Sequence, residues 1–317
     1  MPTFAKAFFL LLLTFLLGCA TPKPPVYNTQ AVTQPTPFAP GVISTEANSE
    51  FDITFTPDGR EAYFTRRAPG EKQHIYRTTL AGGRWGVPTR CSFSTDRDET
   101  PSISADGKLL FFGSERPLPG RPNEGNFDMN IWKVRRQGDG WFEPTPLPAP
   151  LNEVQVTGEE WPSSNNNFLS PVGEDRYYYT TMVRGTKSIQ LYETTYRQGI
   201  FSEPTKITGL FDDPKYWVYS AVVSPDGKYL LFNSSGAPGG SGGEDLFVAR
   251  RTTIGWSKAR ALGAPVNSKD EEGSPRFSRD GRYFFFSRAE SLGNYEYGEW
   301  SIYYLETAHL GLAELFE

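Results

Sequence analysis

Short apolar runs separated by glycine, proline and aspartate recur along this chain, and no long stretch carries the apolar spacing of an amphipathic helix. Five segments look alike: Phe55-Thr56-Pro57-Asp58-Gly59, Ile103-Ser104-Ala105-Asp106-Gly107, Leu169-Ser170-Pro171-Val172-Gly173, Val223-Ser224-Pro225-Asp226-Gly227 and Phe277-Ser278-Arg279-Asp280-Gly281. An aromatic-rich apolar run follows each, such as Tyr229-Leu230-Leu231-Phe232 or Tyr283-Phe284-Phe285-Phe286. The residues between are hairpin chemistry. Proline presets φ, aspartate bonds its own backbone, and glycine takes the positive φ that closes the turn. The third copy has Val172 for aspartate and extra residues before Tyr177, which predicts a longer turn.

A second pattern follows each hairpin, a polar residue, then Ile or Leu, then an aromatic: His74-Ile75-Tyr76, Asn130-Ile131-Trp132, Gln190-Leu191-Tyr192, Asp245-Leu246-Phe247 and Ser301-Ile302-Tyr303. These read as third strands. A glycine-led segment comes next in four copies, beginning at Gly83, Gly140, Gly199 and Gly255, and three of the four contain proline (Pro88, Pro144, Pro204). Proline cannot donate to a ladder, which places these segments at a sheet edge, fourth and outermost. Four-stranded units repeating every ~40–60 residues predict a β-propeller of five blades. The fifth outer strand is missing from the C-terminal end. Phe38 to Ser44 leads into the first hairpin much as Leu262 to Ser268 leads into the last, so an N-terminal strand is expected to complete the final blade and close the ring.

The N-terminal residues change the picture. Lys6 precedes an apolar run from Ala7 to Leu17, too short to span a bilayer, which needs about 20 residues, but suited to a signal peptide. The run ends in Leu16-Leu17-Gly18-Cys19, which resembles the bacterial lipobox. That resemblance implies cleavage before Cys19, a lipid on its thiol and attachment to the membrane of the cell envelope. Ala20 after the cysteine points to the outer membrane, with the domain facing the periplasm or the cell surface. The expected organisation is a signal peptide over 1–18, a Pro-rich tether over 19–37, a propeller over 38–310 and a short tail over 311–317. Loss of Lys6 takes the formal net charge from −5 to −6, which excludes a nucleic-acid partner bound through a basic face. Acylation of Cys19 leaves Cys91 without a disulfide partner, and it reads as a small buried hydrophobe.

The hairpin segments, Ser224-Pro225-Asp226-Gly227-Lys228-Tyr229-Leu230-Leu231-Phe232 above all, resemble the WD40-like PD40 propeller repeats shared with the propeller of TolB. The resemblance covers roughly residues 38–306 and implies the fold; it is nearly silent on function. TolB's N-terminal α/β domain is not matched, nor is the hydrolase domain of prolyl-peptidase relatives. The His-rich metal site of oligogalacturonate lyases has no counterpart, since only His74 and His309 occur.

Strand order places the Pro-Asp-Gly turns on one face of the disc and longer, variable loops on the other, where binding residues are expected. Aligned at the channel mouth on the loop face are Glu50, Asp98, Glu159 and Glu272, with Val218 in the fourth blade. Arg66, Arg67, Arg116, Arg184 and Arg288 leave the second strands. Four carboxylates near an axis could hold Ca²⁺; the alternative is a set of Arg–carboxylate pairs tying neighbouring blades. Trp217, with Tyr216 and Tyr219, stands where the fourth blade lacks the carboxylate and offers a platform for a sugar or peptide. No nucleophile elbow, phosphate loop or zinc cysteine pair occurs, and no metal or organic cofactor is called for. The expected function is that of a non-enzymatic lipoprotein, monomeric as a domain, that binds a protein, peptide or glycan. The alternative is a glycan-cleaving five-bladed propeller that works through the channel-mouth carboxylates.

Overall fold

The computed structural model describes residues 25–119, 129–152, 168–173, 175–183, 188–293 and 296–317. Its core is five radial antiparallel sheets of four strand positions each, arranged as a five-bladed β-propeller. The inner strands are Ser49–Phe55, Asp98–Ile103, Phe168–Val172, Tyr219–Val223 and Glu271–Phe277. Each touches the next, and the last touches the first, so the ring is closed. Among the described residues no helix is long and apolar enough to cross a membrane.

The Pro-Asp-Gly hairpins form as their chemistry dictates. In blade 4 the Asp226 carboxylate accepts from the Ser224 hydroxyl at 2.6 Å and the Lys228 amide at 3.1 Å, while Ser224 Oγ accepts from Tyr229 N at 3.0 Å. Gly227 sits at φ 74°. Blades 1, 2 and 5 repeat this network around Asp58, Asp106 and Asp280. The extra residues of the third copy lengthen the strands rather than the turn, because Pro171 pairs with Tyr177 and Val172 with Arg176.

The glycine-led segments are outermost, as expected, but each is split. In blade 1, Arg84–Trp85 and Thr89–Arg90 both pair with His74–Ala81, and Pro88 lies in the break between them. Ring closure follows the sequence reading: Thr36 and Pro37 pair with Tyr304 and Tyr303, and the Phe38 amide donates to Ile302 O at 2.8 Å. The domain begins earlier than the expected boundary at residue 38. Tyr27, assigned to the tether by its proline-rich surroundings, packs its ring against Phe38, Phe55, Trp85, Tyr283 and Phe285. Its hydroxyl donates to Gly59 O at 3.0 Å, and Val32 is buried alongside. Composition pointed to a tether here because five aromatic contacts made by one tyrosine leave no periodic trace.

Candidate functional site

Three of the four carboxylates predicted at the channel mouth fall in the described residues, and all three are engaged in holding the ring. Glu50 faces Arg66 across the antiparallel ladder, and Glu272 faces Arg288 in the same register. The pairs close at 3.0 Å and 2.8 Å, and Asp98 meets Arg116 at 3.0 Å. Each carboxylate also caps the segment that enters its blade. Glu50 accepts from Thr45 N and Oγ1 at 3.0 and 2.7 Å, and Glu272 accepts from Ser268 N and Oγ at 3.0 and 2.6 Å. Each arginine then reaches the carbonyls of the linker from the preceding blade: Arg66 to Val42 at 2.9 Å, Arg116 to Phe93 at 2.9 Å, Arg288 to Val266 at 2.8 Å.

The third-strand aromatics complete this joint. Arg66 lies over Phe64 and Tyr76, Arg116 over Phe112 and Trp132, and Arg288 over Phe286 and Tyr303. Blade 4 builds the joint without charge. Val218 is buried in place of the carboxylate, Ser234 stands at the arginine's register, and Phe211 packs edge-on against Phe232 and Phe247. A joint that one blade makes without an ion pair is structural, and the alternative reading of tied blades describes the three pairs. They do not converge on a cation, and among the described residues no group of three or more His, Cys, Asp and Glu is arranged to hold a metal. Glu159, Arg184 and Cys19 lie outside the described residues. Arg67 pairs with Glu299 at the surface, 3.1 Å away. Cys91 is buried among Ile75, Phe93 and Ile103, and burial pushes its thiol up to about 12.

A different set of polar groups faces the axis. Four inner strands share a β-bulge whose residue sits in the left-handed region: Asp52 at φ 54°, Thr100 at 57°, Ser220 at 45° and Ser274 at 55°. Bulges of this kind re-aim side chains and occur next to functional sites. Asp52 is the one carboxylate among these four residues, and it is buried with Oδ1 unpartnered. Burial raises it to about 7; Glu99 adds to the shift, while Ser274 and Arg276 oppose it. Glu244, which opens the third strand of blade 4, accepts a hydrogen bond from Asn233. Burial raises it too to about 7, with Glu271, Asp52 and Asp245 adding repulsion. Tyr219, stacked edge-on with Trp217 at 5.6 Å, lies close enough for Glu244 and burial together to raise its phenol. Asn233 Oδ1 and Ser234 Oγ are buried without partners nearby.

This set is acidic and polar, with Tyr219 facing Asn233 across the ladder and Trp217 edge-on to Tyr219. Of the sequence-predicted residues that are described, Trp217 and Tyr219 belong to this set, while Tyr216 turns instead to pack on Phe211. Asp52, Glu244 and Asn233 were missed because alignment rewarded positions that recur. The signal that finds the two carboxylates is the opposite one. Asp52 and Glu244 depart from their repeat: aspartate where the other described bulges carry Thr100, Ser220 and Ser274, and glutamate where the other third-strand motifs are preceded by Gln73, Met129, Ile189 and Trp300.

Comparison with known proteins supports the architecture. The chain matches no protein-family model, and no curated protein matches it. Among solved structures, a glycoside hydrolase superposes with TM-score 0.55 at 9% identity, covering 87% of this chain and 92% of that one. A thermostable family-43 glycoside hydrolase gives 0.52 at 13% identity, with coverage of 81% and 89%. TolB from Acinetobacter baumannii gives 0.46 at 17% identity, with 82% of this chain covering 54% of that one, so the chain spans about half the TolB length. At these identities the likeness to the two glycoside hydrolases extends to the fold alone, and the chain's own strand order is that of a five-bladed β-propeller.

Proposed function

We propose that this protein is a cell-envelope lipoprotein of the PD40 type, anchored through Cys19 in the outer membrane, whose propeller binds a glycan, peptide or partner protein at the loop-bearing face and the axial polar groups below it. The observation that carries the reading is a division of labour among the polar residues. The carboxylate–arginine pairs at the mouth join blades, while Asp52 and Asn233 hold buried oxygen atoms without partners, Asn233 across the ladder from Tyr219, against which Trp217 stacks. Unpaired buried oxygens are costly until a donor arrives, and sugar hydroxyls or peptide amides are such donors. The test is binding of envelope glycans and peptides to the full chain and to Trp217→Ala. Retained folding with affinity reduced about tenfold or more supports the site; unchanged affinity removes it.

One observation favours a second reading, glycan cleavage. Asp52 and Glu244 are both held at about 7, so each is partly protonated near neutral pH, as a general acid requires. Release of new reducing ends from a polysaccharide, abolished by Glu244→Gln, would establish that activity; a polysaccharide that is bound and left intact restores the binding reading.

A further inference from the structure

On the opposite face of the disc, blade 5 carries arginine at two positions where no other blade does. The residue directly before the hairpin segment is Thr54, Ser102, Phe168 and Val222 in blades 1 to 4, and Arg276 in blade 5. The turn residue that is Pro57, Ala105, Pro171 and Pro225 elsewhere is Arg279. The fold does not demand either. At two joints of the ring the turn proline of one blade packs on the turn glycine of the next: a Cβ on Gly107 would lie 2.9 Å from Pro57, and one on Gly281 3.4 Å from Pro225. Arg279 has left that duty, and Pro25 from the N-terminal segment covers Gly59 instead, 2.9 Å from its Cβ position.

Both guanidiniums turn toward the axis. Arg276 donates through Nε to Ile53 O of blade 1 at 3.2 Å and lies over the Phe168 ring of blade 3, 5.1 Å from its centroid. Arg279 extends to Ser104 O of blade 2 at 3.2 Å. They line an axial cavity of about 640 Å³ to which all five blades contribute. The acidic residues on its wall are engaged elsewhere, Asp226 by Lys228 at 3.3 Å and Asp175 by Arg197 at 2.7 Å. Ser102 Oγ, on the same wall, is buried and has no partner.

We propose that this turn-face cavity is a binding site for a small oxyanion ligand, its carboxylate or phosphate seated on Arg276 and Arg279 with the Ser102 hydroxyl donating. Guanidinium forks match both oxyanions, and the volume lies in the range of small-ligand pockets, about 300–1,000 Å³. Burial lowers both arginines, Arg276 to about 10, with Asp52 offsetting part of the shift of Arg276 and Asp106 part of that of Arg279. The proposal does not rest on the loop-face reading: Asp52 of that set acts on Arg276, but Trp217 does not line this cavity.

The experiment is titration calorimetry of the full chain at low ionic strength with citrate and, separately, inorganic phosphate. One saturable site for at least one of them is expected, weakened about tenfold or more by Arg276→Met and by Arg279→Met; the anion that binds identifies the carboxylate or the phosphate source. Arg279 stands at a turn, so its variant keeps the test decisive where Arg276→Met fails to fold, with near-UV dichroism reporting the fold. Absence of binding by both anions, or binding by folded Arg279→Met equal to that of the parent, overturns the proposal.

Discussion

Arg66→Met is the perturbation that separates a blade joint from a ligand site. The Arg66 side chain is 12% exposed, its Glu50 partner is fully buried, and Nε meets the carboxylate at 3.0 Å while Nη2 holds Val42 O at 2.9 Å. Methionine keeps the apolar stem between Phe64 and Tyr76 but removes the cation, so the cost comes mainly from the carboxylate left behind. Breaking a buried pair from one side costs about 3–5 kcal/mol. At ~2–4 °C per kcal/mol for a domain of this size, that is a melting-temperature loss on the order of 10 °C. Glu50→Gln, which retains the shape and the Thr45 contacts, should cost about 1–3 kcal/mol. The double variant should then be milder than the sum by about 2 kcal/mol, because neither charge is stranded. Burial already raises Glu50 against the pull of Thr45 and Arg66. The penalty of Arg66→Met should therefore grow as pH rises above the ordinary carboxylate range, where the unfolded state ionises and the buried group resists. Thermal unfolding of the four proteins at two pH values measures all of this. A melting temperature for Arg66→Met within about 2 °C of the parent, or strict additivity, would refute the joint.

Three further outcomes follow from the same packing. Tyr27→Ala should cost about 3–5 kcal/mol and speed hydrogen exchange in Ser301–Glu306, because the ring joins the N-terminal segment to blades 1 and 5; exchange mass spectrometry reads it directly. Gly242→Ala should destabilise measurably in thermal unfolding, since its Cβ would fall 2.0 Å from the Asp270 carbonyl oxygen, a backbone atom that joins blade 4 to blade 5. Asp52→Asn should raise stability relative to the parent at pH 8 and lose that advantage near pH 4. A carboxyl raised to about 7 favours the folded state when protonated, and its penalty accumulates as pH rises from the unfolded value through 7. Denaturation midpoints across that range give the answer.

Most of the fold was legible because each blade restates the same physical solution. Pro-Asp-Gly announces the hairpin, the glycine-led segments with proline mark the outer edge, and the missing fifth edge strand forces the N-terminal segment into blade 5. The position of Tyr27 was hidden, because its value lies in contacts with residues far along the chain. Of the candidate site, the aromatics Trp217 and Tyr219 and the tying of blades by Arg–carboxylate pairs were legible, and Asp52 and Glu244 were not. Glu50, Asp98 and Glu272 recur because three joints of the ring need them, and Val218 with Phe211 shows the joint made another way. Asp52, Glu244, Arg276 and Arg279 stand where the repeat is broken. In a molecule whose scaffold is a repeat, positions that obey it serve closure, and positions that depart from it are where chemistry can differ from blade to blade.

The central claim is that the loop-bearing face engages a ligand of the envelope. A photo-crosslinking residue at Tyr297, 49% exposed on that face, tests it most directly in living cells, with Ile254, 98% exposed on the outer edge of blade 4, as the reference position. The account predicts a discrete adduct from position 297, diminished by Trp217→Ala, and none from position 254. Equal adduct patterns from the two positions would contradict it.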